Sequence, residues 1–283
     1  MRKLTIVVLV LLITLGVTAC GAPPTANPPL PSEPSAPIRQ SELIVFAAAS
    51  MTETLEEIAK LYATVEPNVK IIFNFDSSGT LKTQIEEGAV CDLFISAGQR
   101  QMDQLDITAP ETVNTDKLDF VAEETRIDLL ENRVTLVVPN GNPANINGFD
   151  DMKEALLSGQ ILLVMGNSDV PVGQYAQQIL EYYKLDEQIL TMSGCISYGS
   201  NVKEVTVQVN EASVDCGIVY CTDAFSAKLE IVDYATADMC GRVIYPAAVL
   251  KTSTNLEAAR AFLDYLTSNE AMAVFENVGF AKV

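Results

Sequence analysis

The residues of this chain that could do chemistry are hydroxyls, backbone amides and carboxylates, because its 283 residues include no His and no Trp. Without His there is no Ser-His-Asp triad and no His-ligated metal. Ser50 follows Ala47-Ala48-Ala49, and Glu53 stands three residues further on, the spacing of a capping box at a helix start. Ser77-Ser78-Gly79-Thr80 places hydroxyls where a second helix would begin, with Gly79 permitting close backbone approach. Asn167 to Tyr175 carries Pro171 where the first turn of another helix would fall, and Gly199-Ser200-Asn201-Val202 opens one more. Tyr220 ends a short apolar run with a phenol that can donate one hydrogen bond. Helix N-termini hold unpaired N–H groups and partial positive charge, so two aimed at one point form an anion site without a formal cation. Capping accounts for either serine alone. The pair, placed after consecutive strands among small residues, is what points to an anion.

Other chemistries are poorly supported. A serine hydrolase built on Ser50 or Ser78 would lack an evident base and a Gly-x-Ser-x-Gly elbow. Asp92, Asp215 and Asp223 read as loop and cap acids on an acidic surface. Cys195, Cys216, Cys221 and Cys240 fall in one stretch and are compatible with two disulfides in three connectivities, a Cys₄ zinc site, or free thiols. Cys91 lies in an apolar strand and reads as a small core residue. Lys plus Arg number 18 against 37 Asp plus Glu, a net charge of −19, which argues against a nucleic-acid binder.

The elements that must hold these residues alternate. Leu43 to Ala47 is a continuous apolar run, as in a buried parallel strand. Leu55, Ile58, Ala59 and Tyr62 then fall at helical spacing, Val69 to Phe75 returns as a strand, and Leu81, Ile85 and Ala89 suggest a short helix. Cys91 to Ile95, Val134 to Val138, Ile161 to Val164 and Gly217 to Tyr220 are further strands, and Leu256 to Leu266 is a helical stripe. This alternation predicts an α/β fold with mostly parallel sheets flanked by helices, the chemistry sitting just after the strands.

The N-terminus reads as an address. Met1-Arg2-Lys3 precedes an apolar run from Leu4 to Val17, too short for a spanning helix and typical of a secretory signal. Val17-Thr18-Ala19-Cys20-Gly21 resembles the lipobox of bacterial lipoproteins, which implies removal of residues 1–19 and a lipid on the Cys20 sulfur. Residues 20–41 would then be the lipidated cysteine and a tether rich in proline, a composition that favours polyproline II. Loss of Arg2 and Lys3 makes the mature chain two charges more negative.

The motifs FAAAS at 46–50, SSGTL at 77–81, DLFISA at 92–97, VPVGQYA at 170–176, GIVY at 217–220 and FLDYLTS at 262–268 together resemble the molybdate-binding proteins of bacterial ABC importers. That family belongs to the two-lobed periplasmic-binding-protein superfamily, with a ligand cleft between lobes. The resemblance implies ligand contacts from the hydroxyls of Ser50 and Ser78, the amides of Val172 and Val202, and the phenol of Tyr220. It implies no enzymatic activity, no catalytic residues, no cofactor and no metal beyond a molybdate or tungstate ligand. It further implies delivery to an ABC permease and its ATPase by a monomer anchored outside the cytoplasmic membrane. Another oxyanion, such as sulfate or phosphate, or a small organic anion is the alternative ligand. The sequence departs from the family pattern at Met51, Asp76, Gly79 and Val172. The expected lobes are residues 42–130 plus 246–283 and residues 131–245, with crossings near Glu131-Asn132-Arg133 and Ile244-Tyr245-Pro246.

Overall fold

A computed structural model describes residues 41–283, so the signal, Cys20 and the tether through residue 40 lie outside the described residues. Among the described residues eleven strands form two sheets. The first holds β1 (Ser41–Ala48), β2 (Val69–Asp76), β3 (Leu93–Ile95), β4 (Ile127–Asn132), β10 (Val243–Val249) and β11 (Ala281–Lys282), in the order β11-β4-β10-β3-β1-β2. The second holds β5 (Val134–Val138), β6 (Leu163–Gly166), β7 (Ile196–Gly199), β8 (Cys216–Tyr220) and β9 (Glu230–Tyr234), in the order β7-β6-β8-β5-β9. Both sheets are mixed. A parallel set, β2-β1-β3 or β7-β6-β8, carries the βα connections, and antiparallel strands complete each sheet. Helices α1 (Thr52–Val65), α2 (Ser78–Glu86), α3 (Gln99–Asp103), α10 (Leu256–Leu266) and α11 (Asn269–Asn277) belong to the first lobe. Helices α4 (Phe149–Leu157), α5 (Pro171–Tyr182), α6 (Glu187–Met192), α7 (Val202–Asn210), α8 (Cys221–Ala227) and α9 (Ala237–Cys240) belong to the second.

The strands are apolar because both of their faces are covered. Val45 and Ala47 feed one core, while Phe46 between them joins Phe94, Leu81 and Ala248 in a smaller core on the opposite face. Every residue of β5 and β8 is buried.

The chain passes between sheets at Arg133 and returns between Tyr234 and Val243. The second passage corrects the expected one near Tyr245. Val243 pairs with Asn132, Ile244 with Glu131 and Tyr245 with Leu130, so the ladder holds these residues inside the first sheet. For the same reason Glu131 and Asn132, expected in the second lobe, end β4.

The five described cysteines are free and buried. Burial raises the thiols of Cys91, Cys216 and Cys240, the last to about 11, which keeps them protonated and unreactive. Among the described residues no group of three His, Cys, Asp or Glu is placed to hold a metal, and no helix is long and apolar enough to cross a membrane.

Candidate oxyanion site

The site begins where parallel strands give way to helices. Strand β1 does not run straight into α1. A 3₁₀ turn, Ala49–Met51, intervenes and moves the N-cap position to Met51. The expected capping box of Ser50 with Glu53 is therefore absent. Ser50, only 4% exposed, turns inward, and its hydroxyl lies 3.0 Å from the Tyr245 phenol.

At α2 the cap is Ser77, whose hydroxyl accepts the Thr80 amide at 3.1 Å. Ser78 is thereby released from capping. Its buried Oγ accepts the Ala97 amide at 2.9 Å, which leaves its own proton to donate elsewhere. Asn201 caps α7 through the Glu204 amide, placing Val202 at the first helical position. Pro171 opens α5, and the first amide bonded back along that turn is Gln174, to the Val170 carbonyl at 3.1 Å. The amides of Val172 and Val202 sit in first turns, where a helix supplies no carbonyl.

These segments converge. Ser50, Ser78, Val172, Val202 and Tyr220 line one cavity of about 10 Å³ together with Asp76, Ser77, Ala97, Pro171 and neighbouring small residues. That is about the room one water requires. Among the described residues no Lys or Arg lines it, and Asp76 is its single charged residue. One Asp76 oxygen accepts the Ser77 amide at 2.7 Å.

The phenol of Tyr220 is placed differently from expectation. It donates across the cleft to the Ala97 carbonyl at 3.2 Å, so it joins the lobes and must reorient to donate to a ligand. Burial raises Tyr220 and Tyr245 well above the usual phenol value, which keeps both as neutral donors.

Sequence reasoning missed the support behind Ser50. Asn132, at the first crossing, donates one amide hydrogen to the Tyr245 phenol at 3.1 Å and another to Thr222 at 3.0 Å. Its carbonyl oxygen accepts the Arg133 amide at 2.8 Å. Either hydroxyl can donate in the Ser50–Tyr245 bond; when Tyr245, which accepts from Asn132, donates, the Ser50 proton is left for the cavity. Tyr245 sits in an ordinary apolar strand and Asn132 at a strand end, so neither carried a local signal.

Comparison with known proteins agrees with this fold. The family model described as bacterial extracellular solute-binding protein matches residues 43–281. The molybdate-binding protein ModA of Haemophilus influenzae is 34% identical over 85% of this chain and 90% of its own length. The structure of the periplasmic molybdate-binding protein of Azotobacter vinelandii aligns with a TM-score of 0.71 at 21% identity, covering 85% of this chain and 99% of that one. The sulfate-binding protein SubI of Mycobacterium tuberculosis aligns with a TM-score of 0.66 at 19% identity, covering 86% and 87%. At these identities the two structures speak to the fold alone.

Proposed function

The chain belongs to the bacterial extracellular solute-binding protein family, and from that premise we propose that it captures molybdate, and tungstate with it, for delivery to an ABC permease and its ATPase. The observation that carries this reading is the convergence of two hydroxyls, two helix-start amides and a phenol on one small cavity lined, among the described residues, by no cation. Hydrogen bonds to a charged group contribute about 1.5–3 kcal/mol each, so a few directed donors offset the desolvation of a dianion. The 34% identity to a molybdate-binding protein favours this tetrahedral dianion over others. In this reading Ser50, Ser78, Val172, Val202 and Tyr220 bind the ligand, and the protein is a monomer with no enzymatic activity, no cofactor and no nucleic-acid partner. It is exported, loses residues 1–19 and is held at the outer face of the cytoplasmic membrane by lipid on Cys20. The lobes close on the ligand as units, residues 42–132 with 243–283 and residues 134–240.

One observation favours a second reading. Asp76 puts a carboxylate in the wall, and a carboxylate can accept the proton of hydrogen phosphate. Calorimetric titration of the 41–283 module with molybdate, tungstate, sulfate and phosphate separates the two. Molybdate and tungstate binding at least a hundredfold tighter than sulfate and phosphate is expected. Asp76→Asn should strengthen molybdate binding by removing like charge. Phosphate binding tightest, and lost in Asp76→Asn, would overturn the molybdate reading.

A further inference from the structure

Lys203 occupies a place where a cation is electrostatically disfavoured. It is the second residue of α7, next to Val202, at the positive end of the helix. Two carboxylates hold it there. Glu53 of α1, in the first lobe, accepts its ammonium with both oxygens at 2.9 and 2.8 Å. Asp223 of α8, in the second lobe, stands 3.6 Å away, within ion-pair range but too far for a hydrogen bond.

Asp223 makes this arrangement unusual. It is 1% exposed, and among the described residues neither of its carboxylate oxygens has a hydrogen-bond partner. A buried carboxylate left so is costly. Among the described residues Lys203 is the one cation within ion-pair range of it, and that cation is drawn off by Glu53 across the cleft. If the lobes part, Glu53 leaves with α1, whereas Asp223 remains beside Lys203 in the second lobe. The ammonium can then settle fully onto Asp223. Closure therefore shares one cation between two acids, and opening returns it to one.

The bridge also joins the elements that matter for capture. α1 follows the turn bearing Ser50, α7 begins with Val202, and α7 packs on that turn. A half-exposed ion pair alone contributes little. Here the second, buried acid restricts where the ammonium can go, so the bridge has a fixed geometry.

We propose that Lys203 is a positioning residue that ties α1 to α7 through Glu53 and so sets how long a captured anion stays. This rests on the oxyanion reading of the cleft. It assigns Lys203 no contact with the anion, because both of its neighbours are acids.

The test uses stopped-flow binding of sodium molybdate to the 41–283 module as wild type, Lys203→Met, Glu53→Gln and the double variant. Dissociation roughly five- to twenty-fold faster in Lys203→Met, with association changed less than twofold, is expected. Glu53→Gln should act in the same direction, and the double variant should be no worse than Lys203→Met alone. A purely structural role for Lys203 would give additive effects instead. Additive effects, or an unchanged dissociation rate, would overturn the proposal. Should Lys203→Met misfold, Glu53→Gln tests the same bond from the exposed side, and wild-type dissociation from it would count against the bridge. If the wild-type module binds no oxyanion, the functional reading fails separately. The bridge is then read by small-angle scattering without anion, where Lys203→Met should increase the radius of gyration and an unchanged radius would overturn it.

Discussion

Ser78 and Ser50 differ in what they hold besides a ligand. Ser78 Oγ is the partner of the buried Ala97 amide, so Ser78→Ala orphans that donor, at about 1–3 kcal/mol of stability. Helix capping is untouched, because Ser77 supplies it. Ser50 is replaceable at less cost to the fold, since the Tyr245 phenol keeps its bond from Asn132. Both Ser50→Ala and Ser78→Ala are expected to weaken molybdate binding by about 1.5–3 kcal/mol. Ser78→Ala alone should also lower the melting temperature substantially. Calorimetric titration and thermal melts of the two variants check this, and unchanged affinity in both would remove these hydroxyls from the site.

At the scale of elements, Gly79 decides how near α2 can come to the loop before α5. A Cβ at position 79 would lie inside the van der Waals envelope of the Asp169 carbonyl, which belongs to the other lobe. Both atoms are backbone-fixed, so neither can swing aside. Alanine is otherwise the better helix residue by up to about 1 kcal/mol. Gly79→Ala is therefore expected to leave the stability of the separate lobes intact or improved, while reducing molybdate affinity tenfold or more because the cleft cannot close fully. Wild-type affinity in Gly79→Ala would show that the lobes need not approach so closely to bind.

Two predictions belong to the whole molecule. Burial raises the Asp223 carboxyl to about 7, opposed by Lys203 and assisted by Glu53. The other titratable groups coupled to it are Tyr220, Tyr245 and Cys221, all raised by burial and neutral near pH 7. The folded state holds this proton more tightly than the unfolded chain does. The contribution of Asp223 to stability is thus greatest below about pH 4, declines as pH rises toward 7, and is flat above, a change on the order of a few kcal/mol. Asp106 and Glu131 are lowered by Arg126 and Arg242 and act in the opposite sense, so the difference between wild type and Asp223→Asn is the quantity to measure. Asp223→Asn should stabilise the protein more at pH 8 than at pH 5. Equal shifts at both would show that Asp223 is ionised throughout.

The second concerns capture. The net charge of −19 repels a dianion at long range, while the attraction of helix N-termini fades within about a turn. Lys82 and Lys203, each within a few residues of a proposed contact in the sequence, are paired with Glu86 at 2.8 Å and with Glu53 and Asp223. Added salt screens distant repulsion first, so the association rate should rise between low and physiological ionic strength. A steady fall in stopped-flow rates would mean that local positive charge governs capture, and Arg100, in the polar groove beside the cleft, would be its source.

The alternation of apolar runs with helical stripes, and the hydroxyls and small residues at their junctions, were legible from the residues alone, because burial on two faces and helix starts each demand a local composition. The same local logic marked Pro171 as a helix opener and Val202 as the start of α7. It misread Ser50 as a cap, since a single 3₁₀ turn shifted the helix start by one position. It also placed Tyr245 in a connection, although pairing with Leu130 holds it in a sheet. What only tertiary structure decided are the contacts between residues far apart in sequence: Tyr245 behind Ser50, Ala97 between Ser78 and Tyr220, and Lys203 between Glu53 and Asp223. Capping, periodicity and turn chemistry act over a few residues, whereas the direction of a hydroxyl or the partner of a buried carboxylate depends on which strands the fold brings side by side.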